Sequence, residues 1–378
     1  EAPDVEIDDA TVTGGSVGIY VSNKNADSEN VSVVNCDVSE TSSHGIQLDS
    51  VRGGAAIANN TVSDAGDYGL HLTAATTAVA PMLFGNVLDN NANGLYLRRF
   101  DLHALPEPDQ LTPAAVAFTS TRGTALYLDE LSDVTVKSYD LRYAGLATGI
   151  HMETCDNMVV DGIPIGSVTT CGVSAGGTCD GITLRAIDVT CAGGTGISLT
   201  GTMSDVLIED STVGETPSNG VWLSGTLTMI TIDNVIVTGG AHGIYMSQPD
   251  AGGGGLSITN CTISGTSSHG IQVDKVRYAD RNPWPTSAAG AGATLQRLCA
   301  AQWARMPSSS STTTTVSFSV SALHMLLFLP YPVPARQRDP DRSAGARRAG
   351  DGDAAAMVAH NLEPDLQAQA RALTRRLG

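Results

Sequence analysis

Apolar and variable positions alternate in a short segment that recurs along the first 277 residues. Each segment has a small residue, an aliphatic residue, a variable residue and a second aliphatic residue, and the steps between segments are roughly 23 to 31 residues. The segments begin at Gly18, Gly45, Gly69, Gly94, Ala125, Gly149, Gly172, Gly196, Gly220, Gly243 and Gly270. Period-two alternation predicts short strands, and their regular recurrence predicts a solenoid of stacked strands with about eleven coils.

Asparagine and aspartate mark a second position about ten residues before many of these segments. They are Asp8, Asn35, Asn59, Asp210, Asp233 and Asn260. Such side chains tolerate left-handed turn conformations and bond to nearby backbone. We therefore predict coils of two or three strands joined by tight turns, with successive coils paired as parallel sheets. Residues 7–52 also align without a gap on residues 232–277 at about half identity, which indicates a duplicated block of coils.

The repeat resembles that of the right-handed parallel β-helix proteins of the pectin-lyase-like superfamily. The resemblance covers residues 1 to about 277 and implies an all-β fold. It also implies a range of functions, since that superfamily contains lyases, hydrolases, epimerases, adhesins and surface proteins. A clustered-aspartate calcium site is missing from the sequence. We therefore expect no cofactor, and Ca²⁺ is the only one that the resemblance suggests.

The pattern stops after residue 277, and the remainder is predicted to be an irregular, partly helical or disordered tail. Residues 278–307 are expected to form a C-terminal cap, because apolar residues recur there at helical spacing. These residues are Leu295, Leu298, Cys299, Trp303 and Met306. Residues 308–378 begin with a Ser/Thr tract that is typical of a stalk and end with a tail rich in arginine.

The apolar segment 316–333 between them has the position of a membrane anchor, with positive charge on its C-terminal side. His324 and Pro330 interrupt it, so its apolar core is shorter than the roughly 20 residues that a membrane span needs. A disordered tail is favoured over an anchor for this reason.

The formal net charge of −18 narrows the classes of partner that the protein can bind. An acidic surface disfavours nucleic acid, because binding to phosphates requires clustered lysine and arginine. It is typical of a soluble protein in an extracytoplasmic setting, which we predict to be a monomer. Seven cysteines fit neither a zinc site nor a dense disulfide framework. Buried thiols are favoured for most of them, and one local disulfide at Cys171–Cys179 remains an alternative.

In each segment the variable residue is predicted to point outward, because its aliphatic neighbours point into the core. The resulting outward column is Tyr20, Gln47, His71, Tyr96, Tyr127, His151, Ser174, Ser198, Trp222, Tyr245 and Gln272. Two residues further on, a second column includes Arg98, Asp129 and Glu153. Together with Tyr96, Tyr127 and His151, these form a patch on three adjacent coils.

Aromatic rings with interleaved carboxylates and an arginine are typical of sugar-binding surfaces. The candidate substrate-binding residues are Tyr20, His71, Tyr96, Tyr127, Trp222 and Tyr245. The candidate catalytic residues are Asp129, Glu153, Arg98 and His151, either as a retaining pair of carboxylates or as a base and an arginine acting beside a uronate carboxylate.

Three functional interpretations stay open from the sequence. A solvated strand face needs no ligand, because such residues pair between strands in many sheets. An extracytoplasmic surface protein would recognise polysaccharide or a cell-surface glycan, or serve as an adhesive or structural rod. A polysaccharide lyase or glycoside hydrolase would act on an extracellular polymer. His242 and His269 are stacked neighbours without a third ligand, so no metal site is predicted.

Overall fold

The computed structural model describes residues 5–22, 30–52, 54–76, 81–102, 105, 109–142, 145–190, 193–247, 250–251, 256–274, 277–278 and 314–319. Within these ranges the chain is all-β and contains no helix. The strands, numbered β1 to β33 in chain order, build a parallel solenoid of about ten turns. The all-β solenoid predicted from the sequence is therefore confirmed.

Each coil contributes up to three main strands, one to each face of the solenoid. The first-face strands are β1 (Val5–Asp8), β4 (Asn30–Val34), β7 (Gly54–Ala58), β10 (Pro81–Phe84), β13 (Gln110–Leu111), β16 (Thr135–Lys137), β18 (Val159–Asp161) and β22 (Thr183–Arg185). The second-face strands are β2 (Thr11–Thr13), β5 (Asp37–Ser39), β8 (Thr61–Ser63), β11 (Asn86–Asp89), β14 (Val116–Phe118), β19 (Pro164–Gly166), β23 (Asp188–Thr190), β25 (Thr212–Gly214) and β27 (Ile236–Thr238).

The third face carries the repeated segments and is continuous from end to end. Its strands are β3 (Ile19–Ser22), β6 (Ile46–Val51), β9 (Tyr68–Ala74), β12 (Asn93–Arg98), β15 (Thr124–Asp129), β17 (Thr148–Glu153), β20 (Cys171–Gly176), β24 (Thr195–Glu209), β26 (Asn219–Asp233), β28 (His242–Ser247) and β31 (His269–Asp274). The long strands β24 and β26 continue around onto the first face, and β30 (Leu256–Ser264) joins the first face to the second. The remaining strands are β21 (Thr178–Asp180), β29 (Asp250–Ala251), β32 (Arg277–Tyr278) and β33 (Thr314–Ser319).

The aliphatic residues of the repeated segments form one buried ladder, as predicted. Leu95 pairs in register with Leu70 on one side and with Leu126 on the other, and Leu126 pairs with Ile150. All four side chains are fully buried. Stacking like on like fills the narrow core with branched side chains, so burial of apolar area stabilises every coil in the same way.

The small residue that opens each segment has a steric cause. A Cβ added at Gly196 would lie 2.2 Å from Val213 Cγ1 and 2.7 Å from the Gly220 carbonyl oxygen. Gly149 and Gly220 have similar neighbours, so the backbone of the next coil occupies the space that a side chain would need. The glycine spacing is therefore a packing requirement of the coil.

The asparagine markers form a ladder at the turn between the first and second faces. Asn35 and Asn59 adopt left-handed conformations with φ of 54° and 55°. Asn35 Nδ2 donates to Asp8 Oδ1 at 2.8 Å, and Asn59 Nδ2 donates to Asn35 Oδ1 at 3.4 Å. Asn60 lies beside this ladder, where it is fully buried and donates to Asn86 Oδ1 at 3.0 Å. Asn60 also accepts from the Cys36 N–H and donates to the Val33 carbonyl oxygen, so it satisfies backbone groups near the turn.

Five cysteines lie in the described ranges, and all are free and buried. They are Cys36, Cys155, Cys171, Cys179 and Cys261. Burial raises the pKa of the Cys155 and Cys171 thiols to about 12, so both thiols stay protonated. The expectation of buried thiols is confirmed for these five, and the alternative Cys171–Cys179 disulfide is not formed.

Beyond the repeats, β33 pairs antiparallel with β30. This short stretch of the predicted stalk and apolar segment therefore lies against the solenoid. The predicted cap helix at 292–306 and most of the segment 316–333 lie outside the described residues, so the boundaries at 277 and 307 stay predictions. No helix in the described part of the chain is long and apolar enough to cross a membrane.

Candidate functional site

The outward column of the third face is continuous and in register. Tyr96 pairs with His71 and with Tyr127, and Tyr127 pairs with His151. The column continues through Ser174 and then through Ser198 to Trp222, Tyr245 and Gln272. At the other end, Tyr20 pairs with Gln47, which pairs with His71. The structure thus aligns all six predicted substrate-binding residues in one file.

The rings of the first half of this column pack on each other. His71 stacks on Tyr96 with centroids 4.6 Å apart and ring planes within 5° of parallel. Tyr96 and Tyr127 lie 5.1 Å apart, and Tyr127 lies 4.5 Å from His151. His44, from the preceding turn, extends the stack onto His71 at 4.5 Å. Neighbouring rings therefore cover much of each other's faces, and the ring edges are left toward solvent.

This packing changes how a sugar could approach. Stacking of one sugar on each ring, which the sequence suggested, requires an accessible ring face. Tyr20, which is 52% exposed, meets that requirement, whereas His71 and Tyr96 do not. Trp222 lies next to the small residue Ser198, and its Nε1 donates to Ser247 Oγ at 3.4 Å.

A charged network borders the ring stack at its centre. The Tyr96 hydroxyl donates to Asp129 Oδ2 at 2.7 Å, and Arg98 Nε lies 3.2 Å from the same oxygen. Both Arg98 and Arg99 bond to Glu130. The Arg99 hydrogen bond, assisted by that of Arg98, lowers the pKa of Glu130 to about 2. Burial and the bond to Asp129 raise the pKa of Tyr96, so its hydroxyl remains a donor at neutral pH.

A tyrosine donates to an aspartate of the next coil at several points along the third face. Tyr20 donates to Asp49 at 3.5 Å, and Tyr245 donates to Asp274 at 3.2 Å, as Tyr96 does to Asp129. The recurrence shows that this diagonal pair is a cross-strand contact of the repeat. Arg98 also contacts Asp129, with Nε 3.2 Å from Oδ2.

A cleft of about 470 Å³ opens beside the stack. Its lining includes His71 and Tyr96, the three arginines Arg52, Arg98 and Arg99, and one acidic residue, Asp49. Only seven arginines occur among residues 1–277, so three of them converge on one cleft of an otherwise acidic chain. Burial, together with the nearby His44, lowers the pKa of His71 to about 4, so this ring is neutral at pH 7.

His151 ends the ring stack and holds two further partners. Its Nδ1 lies 2.6 Å from Ser174 Oγ of the next coil, and its Nε2 lies 3.4 Å from Glu153 Oε2. Burial lowers the pKa of His151, and the nearby Glu153 carboxylate opposes that effect. The predicted catalytic residues thus fall into two groups, with Arg98 and Asp129 beside the cleft and His151 and Glu153 beside Ser174.

Sequence reasoning missed several residues that complete these groups. Tyr68, which contacts Tyr96 edge-on at 5.5 Å, was not predicted, whereas Glu130 was expected only to flank the patch and in fact joins the two arginines. Both lie one position outside the strict alternation, where the pattern assigns no face. Ser174 stood in the outward column but lacked a distinguishing feature, because its partner His151 lies one coil away. Pairing each outward residue with its neighbour one repeat later would have found it.

A second, smaller ring cluster lies toward the C-terminal end of the same face. His242 and His269 stack with centroids 5.6 Å apart and planes within 1°, and Tyr245 lies 4.9 Å from His242. Nδ1 of His242 bonds Asn219 Oδ1 at 2.9 Å. These contacts satisfy the histidines within the sheet.

Two protein families match the chain. Residues 118–278 match the family described as right handed beta helix region. Residues 1–105 match the family described as periplasmic copper-binding protein (NosD). No curated protein sequence matches significantly.

Two solved structures are similar to the chain. The A-module of the mannuronan C-5 epimerase AlgE4 from Azotobacter vinelandii is 11% identical with a TM-score of 0.38, and the match covers 74% of this chain and 91% of that one. The catalytic unit of a thermostable GH87 alpha-1,3-glucanase from Streptomyces thermodiastaticus is 17% identical with a TM-score of 0.33, and the match covers 71% of this chain and 56% of that one.

The copper named in the second family description does not fit the residues that the structure describes. The described part of the chain contains no group of three His, Cys, Asp or Glu side chains that could hold a metal ion. Nδ1 of His44 and of His71 are buried without a hydrogen-bond partner there, but the two rings stack within 22° of parallel. Nearly parallel rings direct their in-plane lone pairs side by side, so the two nitrogens do not converge on one ion at roughly 2 Å.

Two observations identify the fold. The strands of the third face pair in parallel and in register, and residues 118–278 match a family of β-helix regions. The repeat-bearing part of the chain is a parallel β-helix, as its sequence predicted, and residues 118–278 match the right-handed β-helix family.

Proposed function

We propose that this β-helix is an extracytoplasmic protein that recognises an acidic polysaccharide along its third face. The observation that carries the proposal is the cleft that Arg52, Arg98 and Arg99 line together with His71 and Tyr96. Guanidinium groups bind carboxylates through paired hydrogen bonds, and a uronate polymer carries one carboxylate on each sugar. The polymer would continue along the column, whose residues recur at about 4.8 Å from strand to strand.

The ring edges of the stack suit this role because they present polar atoms. The phenol oxygens of Tyr96 and Tyr127 and the arginines beside them can exchange hydrogen bonds with sugar hydroxyls. The rings are held by one another and by Asp129, so they lose little conformational freedom on binding. Tyr20, Trp222 and Tyr245 extend the same column and stay predicted contacts.

The match of residues 1–105 to a family described as periplasmic supports the extracytoplasmic location. The formal net charge of −18 supports a partner other than nucleic acid and keeps neighbouring copies apart, in line with a monomer. If the protein instead serves as an adhesive or structural rod, the same surface binds the polymer. The only difference is the structure to which that polymer belongs.

The alternative is a polysaccharide lyase or glycoside hydrolase acting through Asp129 and Glu153. These two residues are register neighbours, which favours a pair of carboxylates on one site. Asp129, however, already accepts the Tyr96 hydroxyl and contacts Arg98, and its side chain is only 13% exposed. Those contacts favour a supporting role for Asp129 in holding the tyrosine and the arginine.

Binding of the full chain to polygalacturonate, alginate and a neutral glucan tests the proposal by calorimetry. We expect binding to the two polyuronates and about tenfold weaker affinity for the Arg52→Gln/Arg99→Gln double variant. Arg185→Gln is the matched control, because Arg185 pairs with Asp161 on the first face, away from the cleft. Equal affinity for charged and neutral polymers, or no effect of the double variant, would contradict the proposal.

The same samples separate binding from catalysis. If the alternative holds, polyuronates will yield reducing ends or unsaturated products, and Asp129→Asn and Glu153→Gln will each abolish that turnover. Binding without either product rejects the alternative.

A further inference from the structure

Three neighbouring side chains on the third face contact one another in sequence, and the polysaccharide proposal does not use them. Ser174 Oγ lies 2.6 Å from His151 Nδ1, and His151 Nε2 lies 3.4 Å from Glu153 Oε2. All three are partly accessible to solvent. The arrangement is that of a nucleophile, a base and a carboxylate that orients the base.

The chemistry of the partners determines the tautomer of His151. A carboxylate only accepts hydrogen bonds, so Nε2, which faces Glu153, carries the proton. Nδ1 is then the acceptor and receives the Ser174 hydroxyl. This is the protonation pattern in which a histidine can take a proton from serine.

The surroundings hold the three side chains in place. Tyr127 packs against the His151 ring at 4.5 Å, which fixes its orientation from the side of the ring stack. The Glu153 carboxylate lies close to the backbone of the next coil. A Cβ at Gly176 would be 2.5 Å from Glu153 Oε2, and one at Gly177 would be 2.9 Å from Oε1. Two consecutive glycines thus make room for the carboxylate beside Ser174.

Beyond Ser174, the outward column carries one more small side chain before the next ring. The next residue of the column is the small Ser198, and the aromatic Trp222 follows it. Only the small side chains of Ser174 and Ser198 therefore separate His151 from Trp222 in this column, and we expect an acyl group to approach Ser174 from this side.

We propose that Ser174, His151 and Glu153 form a hydrolytic triad for carboxylic esters, with small acyl groups on sugar hydroxyls as the substrate class. The serine chemistry itself does not depend on the proposed function. The sugar as carrier of the ester rests on polysaccharide binding by the same face.

The reaction balances with water as the only co-reactant. Ser174 Oγ attacks the ester carbonyl carbon while its proton passes to His151 Nδ1, and the bond to the sugar oxygen breaks as His151 returns the proton to that oxygen. Water then attacks the acyl-serine and gives a proton to His151, which passes it back to Ser174 Oγ as the carboxylic acid leaves. Strand pairing engages the backbone N–H groups of this sheet, so stabilisation of the oxyanion is weak and slow turnover is expected.

Covalent labelling is the primary test, because it does not require rapid turnover or a polysaccharide. The full chain is treated with a fluorophosphonate, and the modified residue is located by peptide mass spectrometry. Modification at Ser174 is expected, and Ser174→Ala and His151→Ala should each abolish it. Ser63→Ala is the matched control, since Ser63 is a partly accessible serine on β8 of the second face and should leave labelling unchanged.

Hydrolysis of p-nitrophenyl acetate gives a second readout with a distinct role for Glu153. Ser174→Ala should remove at least nine-tenths of the rate above that of the buffer. Glu153→Gln should lower kcat more than tenfold with little change in KM, because the base loses its orienting partner. It should also move the acidic limb of the pH profile to lower pH, since the Glu153 carboxylate raises the pKa of His151 and Asp129 acts in the same direction.

The outcomes separate this proposal from the preceding one. Absence of label at Ser174, or equal hydrolysis by wild type and Ser174→Ala, overturns the triad even if polyuronates bind. Labelling and hydrolysis without any polysaccharide binding leave the triad in place and remove the sugar as its substrate carrier. Thermal melts of each variant check that the β-helix remains folded.

Discussion

Two neighbouring stretches of the third face share one core and differ on the surface, and we call them the ring-bearing half and the half without rings, which ends before Trp222. From His44 to Glu153 the outward positions carry stacked rings and a network of arginines and carboxylates. From Ser174 to Thr200 the same positions carry serine, glycine and threonine. The inward ladder is equally buried in both halves, at Ile150 as at Ile197. Inward residues therefore determine the coil, whereas outward residues are left to vary with function.

The largest effect on stability is expected in the core ladder, where the two halves should respond alike. Ile150→Asp should lower the free energy of unfolding by several kcal/mol, because an unpaired charge replaces a fully buried aliphatic side chain. Ile197→Asp should cost a similar amount. Chemical denaturation of both variants measures this, and tolerance of either aspartate would show that the ladder does not hold that half together.

An intermediate effect is expected from acidification of the ring-bearing half. The pKa of His71 is about 4 in the folded chain and ordinarily 6.5, so the unfolded chain binds the proton first as the pH falls. Stability should therefore be unaffected above pH 6.5 and should fall between about pH 6.5 and pH 4. Because the ring is partly exposed, we expect a loss on the order of 1 kcal/mol. The His71→Gln variant should show a smaller loss over that range, whereas an unchanged slope would place the titration elsewhere.

Truncation of a stacked ring should lower the free energy of unfolding by a similar or slightly smaller amount than acidification does. Tyr127→Ala removes ring contacts to Tyr96, Tyr68 and His151 and should lower stability by about 1 kcal/mol. The sequence alone suggested a nearly neutral change, because alternation places Tyr127 outside. Denaturation of this variant beside wild type measures the difference, and a neutral result would show that the ring contacts contribute nothing to stability.

The smallest effect is expected in the half without rings. Ser198→Ala removes a partly exposed hydroxyl and should change stability by less than about 0.5 kcal/mol. A larger loss would show that the small outward residues also support the fold, which would weaken the contrast between the two halves.

The sequence predicted the fold and the outward column because both follow from alternation and from the repeat. Each coil places Tyr96, Tyr127 and His151 at the same point, so their register could be deduced without coordinates. Side-chain direction along the column could not be deduced. Alternation does not say whether a ring lies flat or stacks on its neighbour, and it does not show that Arg99 and Glu130 turn back toward each other from left-handed positions. The cleft and the Ser174 contact depend on those directions.

Hydrogen–deuterium exchange of the full chain with and without an oligouronate tests the central claim most directly, because it reports both halves of the third face at once. We predict slower exchange in peptides that cover residues 46–52 and 93–99, which line the cleft. Peptides that cover 195–200, where the outward side chains are small, should be slowed less. Protection of 195–200 without protection of the cleft peptides, or no protection at saturating ligand, would contradict the assignment of polysaccharide recognition to the ring-bearing half.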